Sequence, residues 1–236
     1  MAETLQQAIL RIPESSPWLD VAYRYQPASE SADVGGDFYE LFEISDNRLA
    51  IMIGDVVGKG IGAARLTSLI RDGARAYLIE GHGCSAVLEH VNTLTYRFTS
   101  ADQFATVFLG IMDAASGDLE YSSAGHPAPV ITGRGAPRQL VSSGGLLGAF
   151  PHAEFPAIRT VLADDESLCL YTDGISEARR GKELFGEEGV AEALDRLKAR
   201  PLDDIVDTLL EHVTEFCGGQ LRDDIVLLCI ARKPLG

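Results

Sequence analysis

Apolar positions along this chain fall into short alternating or continuous runs broken by Gly, Asn and Asp, and into longer stretches at helical spacing. VAYRY (21–25) alternates, DFYELFEI (37–44) is rich in aromatics, and Ser45-Asp46-Asn47 is a turn signal leading into RLAIMIGDV (48–56). That third run is nearly continuous apolar, the pattern of a strand buried on both faces. Ala63, Leu66, Ile70, Ala74 and Tyr77 recur at three- and four-residue steps, predicting a helix ended by Gly81 and Gly83. Val87, Val91, Leu94 and Phe98 trace one face of a second helix. Strand patterns return in ATVFLGIMD (105–113), LEYSSAG and APVIT, and the Gly- and Pro-dense stretch 133–156 reads as loops and hairpins. FPAIRTVL and SLCLYTDG are strand-like. A helix follows around Val190–Ala199, and another starts at Pro201 with the apolar stripe Leu202, Ile205, Val206, Leu209, Val213 and Phe216. IVLLCIA (225–231) closes the series as a strand.

Strands, two helices, more strands, two helices and a last strand make an α+β order. Its simplest solution is two packed sheets with helix pairs on the outer faces. Leu5, Ile9 and Ile12 suggest a short helical stretch ended by Pro13 and Pro17, so residues 1–20 read as an N-terminal linker segment. Residues 21–236 read as one domain, with no internal repeat and no linker that would split it.

Composition narrows the function. The chain has 236 residues, with 20 Lys and Arg against 35 Asp and Glu, for a formal net charge of -15. Nucleic acid and anionic membrane surfaces both reward a basic face, so neither is expected as a partner. The apolar runs are far shorter than the roughly 20 residues that cross a bilayer. The start, MAETLQQAILRIPESS, lacks the basic and apolar regions of a secretory signal. Cys84, Cys169, Cys217 and Cys229 are scattered, with no CxxC pair and no His at zinc spacing. Buried reduced thiols and a cytoplasmic setting fit this usage.

The aspartates carry the chemistry. Asp37 follows Gly35-Gly36 at a strand start, and Asp55 ends the apolar strand before Gly58-Lys59-Gly60. Asp173 ends SLCLYTDG, and Asp223 and Asp224 precede the final strand. Two such carboxylates meeting at about 4 Å would repel by about 4 kcal/mol at an effective dielectric near 20, and would need protons or divalent cations. Oxygen-only ligands favour hard ions, Mg²⁺ or Mn²⁺. Asp-Gly is also an ordinary turn former. The residues alone leave both readings open, because spacing does not show whether these strand ends converge.

VGGDFYELFEI (34–44), IGDVVGKGIGAARL (53–66), SAGHPAPVI (123–131), LYTDGISEA (170–178) and RDDIVLLCI (222–230) follow one another as in bacterial SpoIIE-type members of the protein phosphatase 2C superfamily. The chain resembles these metal-dependent serine/threonine protein phosphatases from about residue 20 to 232. The resemblance implies a four-layer αββα sandwich of two antiparallel sheets flanked by helix pairs, with two Mn²⁺ or Mg²⁺ ions in a cleft. Carried over motif by motif, Asp55 would bridge both ions and the Val56 carbonyl would join the second. Asp37 would stand on the second-ion side, with Asp55 as the other catalytic carboxylate. Asp173 and Asp223 would hold the first ion. Asp223 is preferred to Asp224 because the family's ligand directly precedes the polar residue leading into the last strand. A hydroxide bridging the ions would attack phosphoserine or phosphothreonine in line. The implied substrate is a phosphorylated STAS-type anti-sigma-factor antagonist. An upstream sensor, a second subunit or a homodimer would act through the first two helices.

The chain departs from the eukaryotic pattern at two points. Val57 stands where the DGHGG turn has its His, and no Arg matches the eukaryotic phosphate-binding Arg; Arg24 lies too far upstream. Lys59 reads either as a phosphate attractor beside a helix N-terminus or as a solvated turn residue. His126, in SAGHPAP, reads as turn-shaping. His82, His90, His152 and His212 read as surface histidines, and Asp203 and Asp204 as first-turn helix charges. Two other functions fit the same fold: a non-catalytic phosphoprotein-binding module, and a hydrolase of small phosphoesters.

Overall fold

A computed structural model describes residues 16–28, 35–100 and 102–233. The helical stretch expected at Leu5–Ile12 lies outside the described residues. The described residues of 31–126 and 142–161 form one compact unit, and those of 15–30, 127–141 and 162–236 a second.

The first unit is an antiparallel sheet with a helix pair. Its strands are β2 (Phe38–Ser45), β3 (Arg48–Val56), β4 (Ala105–Asp113), β5 (Asp118–Ala124) and β8 (Ile158–Val161), adjacent in that order. α1 (Ile61–Ile79) and α2 (Cys84–Phe98) lie against one sheet face. There Phe38, Ala50, Met52, Val107 and Leu109 pack with Leu66, Ile70, Ala74, Val87 and Val91. Leu49, Ile51 and Ile53 of β3 point to the opposite face and are just as buried, as the unbroken apolar run predicts. A buried carboxylate ties sheet to helix: Glu40 of β2 accepts from Arg71 at 3.4 Å and also pairs with Arg75, both on α1.

The second unit repeats the plan. β1 (Leu19–Gln26), β12 (Ile225–Arg232), β9 (Ser167–Tyr171), β6 (Val130–Thr132) and β7 (Arg138–Gln139) form its sheet in that order, with every neighbouring pair antiparallel. α4 (Gly186–Leu197) and α5 (Leu202–Phe216) cover one face. Their Val190, Leu194, Ile205, Leu209 and Val213 meet Cys169, Tyr171, Leu227 and Cys229. A hairpin of β10 (Arg179–Arg180) and β11 (Glu183–Leu184) precedes α4 and was not legible in the apolar pattern.

The run SLCLYTDG departs from the expected strand at its end. The last ladder pair is Tyr171 with Leu227. Thr172 then clasps Val226 twice: its amide donates to the Val226 carbonyl at 3.1 Å, and its hydroxyl accepts from the Val226 amide at 2.9 Å. The chain turns there into the short helix α3 (Asp173–Ser176), so Asp173 opens a helical turn instead of closing a strand.

Candidate functional site

In the first unit, three of the expected oxygen donors gather around Gly36. β2 and β3 pair with Phe38 opposite Gly54, and beyond that pair the Val56 amide donates to the Gly36 carbonyl at 3.2 Å. This register sets Asp37 across from Asp55. Opposed residues of an antiparallel pair hold their Cβ atoms about 4.5–5.5 Å apart. Two carboxylates at such a spacing repel by about 3 kcal/mol at an effective dielectric near 20. Asp37 is 4% exposed and Asp55 half-buried, so solvent screens the pair poorly. Glycine is what lets the strands close here. A Cβ at position 36 would lie 2.1 Å from the Val56 carbonyl oxygen and 2.7 Å from Asp55 Oδ1.

Across the sheet, Asp55 of β3 faces Thr106 of β4. The Thr106 hydroxyl lies 2.9 Å from Nδ1 of His126, a residue only 1% exposed. His126 therefore does more than shape a turn, since it holds the side chain that shares a sheet face with Asp55. Lys59 is exposed in the loop before α1, and Val57, at the eukaryotic His position, is 41% exposed.

In the second unit, Asp173 and Asp223 line one cavity of about 90 Å³ together with Glu177, Arg179 and Arg222. The Asp173 carbonyl accepts from the Glu177 amide at 2.6 Å, which pins the start of α3. Gly174 is required beside it, because a Cβ there would sit 2.1 Å from the Asp224 carbonyl oxygen. The two neighbouring aspartates have different surroundings. Asp224 is buried, with Oδ1 accepting from the Ala28 amide at 2.9 Å and Oδ2 from the Tyr25 hydroxyl at 3.2 Å. Asp223 is exposed toward the cavity region, its Oδ1 accepting only the local Asp224 amide at 2.9 Å among the bonds described.

The carboxylates thus stand as two pairs, Asp37 with Asp55 in one unit and Asp173 with Asp223 in the other. Among the described residues, no group of three or more His, Cys, Asp or Glu side chains is arranged to hold a metal. Each pair is nevertheless made of hard oxygen donors without His or Cys, the chemistry that suits Mg²⁺ or Mn²⁺.

Sequence reasoning did not find Arg179 and Arg222. Both flank expected motifs, but only folding sets them on one cavity wall. Arg24, by contrast, belongs to the scaffold, bonding Asp207 at 2.6 Å and Asp203 at 3.4 Å on α5. His82 meets the Tyr77 ring edge-on and His90 lies tilted against it, with ring centroids 5.7 and 4.6 Å from it.

Comparison with known proteins places this geometry. The profile of the family Stage II sporulation protein E (SpoIIE) matches residues 45–233. Protein IcfG of Synechocystis is 31% identical over 97% of this chain and 40% of its own length. Phosphoserine phosphatase RsbU of Bacillus subtilis is 24% identical over 99% of this chain and 69% of its own. The chain therefore spans less than half of IcfG. The crystal structure of the RsbU and RsbW domains of a Mycobacterium tuberculosis protein superposes with a TM-score of 0.80 at 30% identity, covering 93% of this chain and 61% of that one. With the profile running from the end of β2 past β12, the chain belongs to the SpoIIE family and has the α+β fold of its PP2C-type phosphatase domains.

Proposed function

We propose that this chain is a metal-dependent protein serine/threonine phosphatase. Its substrate would be phosphoserine or phosphothreonine on a regulatory protein, specifically a STAS-type anti-sigma-factor antagonist. The observation that carries this reading is the family match together with the oxygen donors grouped as two carboxylate pairs, one per unit. RsbU, similar over nearly the whole chain, is named a phosphoserine phosphatase, which supports the substrate class.

In this reading Asp37, Asp55 and the Val56 carbonyl in the first unit, and Asp173 and Asp223 in the second, are the residues that would hold Mn²⁺ or Mg²⁺. When bound, such ions supply Lewis acidity that makes water a nucleophile near neutral pH and offsets phosphoryl charge. The chain supplies the rest. The mutual repulsion of Asp37 and Asp55 is relieved by cations, which favours loading. Thr106, its hydroxyl held by His126, is the residue directly opposite Asp55 on their shared face. Lys59, exposed before the α1 N-terminus, adds positive potential for an incoming phosphoryl group. Asp224, occupied by Tyr25 and Ala28, is left as a scaffold residue. Regulation by a sensor region, partner subunit or second copy acting through α1 and α2 belongs to the same proposal.

The direct test is phosphate release from a phosphorylated STAS-type antagonist with Mn²⁺ present. Release that falls by about 100-fold or more in Asp55→Asn is expected. No release from any phosphoprotein, with Asp55→Asn binding Mn²⁺ as the wild type does, would remove the proposal.

A further inference from the structure

The second unit contains two thiols that the proposed chemistry does not use. Cys169 of β9 and Cys229 of β12 are directly opposed in the antiparallel ladder. Both are 0% exposed, on the face covered by α4 and α5. The Cys229 and Cys169 side chains point at each other with their sulfur atoms in direct contact. Directly opposed residues hold their Cα atoms about 4.5–5.5 Å apart, inside the roughly 4.4–6.8 Å window that a disulfide spans without moving the backbone. The other two cysteines have no thiol neighbour: Cys84 donates to the Glu120 carbonyl and Cys217 to the Thr214 carbonyl.

We propose that Cys169 and Cys229 are an oxidation site, at which a two-electron thiol oxidant of the peroxide class joins the two sulfurs into a reversible disulfide between β9 and β12. One thiolate attacks a peroxide oxygen; the O–O bond breaks, and the sulfur becomes a sulfenic acid as the first water leaves. The second sulfur then displaces hydroxide from that sulfenic acid, forming the S–S bond, and its proton leaves with the second water. Two thiols lose two electrons and two protons, and the peroxide is reduced to two waters.

Geometry favours the second step and burial restrains the first. The partner sulfur is already in place, so the sulfenic acid is resolved before a further oxidant arrives. Burial, with Cys169 adding to it, holds the Cys229 thiol well above its ordinary range, so thiolate is scarce until the sheet opens locally. The site therefore resists brief exposure and responds to sustained exposure. Its position is consequential: Cys169 precedes Asp173 by four residues on the same run, and β12 begins directly after Asp223-Asp224. A bond there pins the two strands that lead to this carboxylate pair. It closes a segment of 60 residues, a constraint that falls mainly on the unfolded chain. The inference does not depend on the phosphatase reading.

The test is peptide mapping of the full chain, without reduction, after hours in hydrogen peroxide under native conditions. A loss of two hydrogens in the intact mass is expected, with the peptides carrying Cys169 and Cys229 linked and Cys84 and Cys217 still open to alkylation after unfolding. The midpoint of denaturation should rise on oxidation and return with dithiothreitol. Cys169→Ala and Cys229→Ala should each abolish the mass loss; if either variant fails to fold, the wild-type map and the reversible midpoint shift decide alone. Overturning results are sulfinic or sulfonic acid at either cysteine without a link, a link that forms only after full denaturation, or a link to Cys84 or Cys217.

Discussion

Asp223 and Asp224 are adjacent and chemically identical, yet their hydrogen bonds assign them different work. Asp224 accepts from the Ala28 amide and the Tyr25 hydroxyl while buried, whereas Asp223 lines the cavity with Asp173. Asp224→Ala removes the acceptors of both the Ala28 amide and the Tyr25 hydroxyl, so a loss of about 1.5–3 kcal/mol in urea denaturation is expected. Asp223→Asn should leave stability nearly unchanged and weaken Mn²⁺ binding, as calorimetry would report. If the two variants exchange these effects, the assignment is wrong. Gly36 offers a probe of the other pair that leaves every carboxylate in place. Gly36→Ala pushes a methyl group against the Val56 carbonyl and Asp55 Oδ1. A loss of Mn²⁺ affinity of about tenfold or more is expected. Wild-type affinity in that variant would show that neither oxygen is a donor.

At the scale of elements, the strand-to-helix connections place the site and need their own support. α1 begins five residues after Val56, and its anchor to the sheet is ionic as well as apolar. Glu40 of β2 is 1% exposed and is matched by Arg71, at 6%, and by Arg75. Glu40→Ala would remove the buried carboxylate that pairs with both Arg71 and Arg75. A destabilisation of about 3–5 kcal/mol is expected, with Glu40→Gln retaining part of it by keeping an acceptor. A loss below about 1 kcal/mol on chemical denaturation would mean that apolar packing alone holds α1. β9 and α3 are joined by a different device, the two hydrogen bonds between Thr172 and Val226, one of which uses the Thr172 hydroxyl where the ladder would have used a backbone carbonyl.

For the whole molecule, the net charge of -15 makes anionic polymers poor partners and divalent cations good ones. No described helix is long and apolar enough to cross a membrane. Buried acidic protons set a limit at high pH. Burial pushes the thiols of Cys84 and Cys229 and the hydroxyl of Tyr171 upward from ordinary values of 9.0 and 10.0. A raised value in the folded state means that the unfolded chain releases these protons first. Stability should therefore be flat with respect to these groups below pH 9 and fall above it. The slope reaches about 1.4 kcal/mol per pH unit for each group that must remain protonated. Denaturation midpoints from pH 7 to 10.5 would show this, and Cys84→Ala should flatten the decline. Midpoints that stay level through pH 10.5 would contradict it.

Much of the fold was readable because periodicity is local. The β3 run 48–56, the β4 run 105–113 and the stripes of α1 and α5 coincide with their elements, since an apolar residue every second or every third to fourth position already states which face must leave water. The chain also displayed its chemistry as residue types, aspartates and glycines at strand ends with no soft ligands beside them. Register was not readable. That Asp37 faces Asp55, that Asp224 serves Tyr25 and Ala28 while Asp223 does not, that Arg179 shares a cavity with Arg222, and that Cys169 meets Cys229 all follow from pairings between distant segments. Those pairings are set by ladder hydrogen bonds and by backbone approaches such as Gly36 to Val56, which no local pattern encodes.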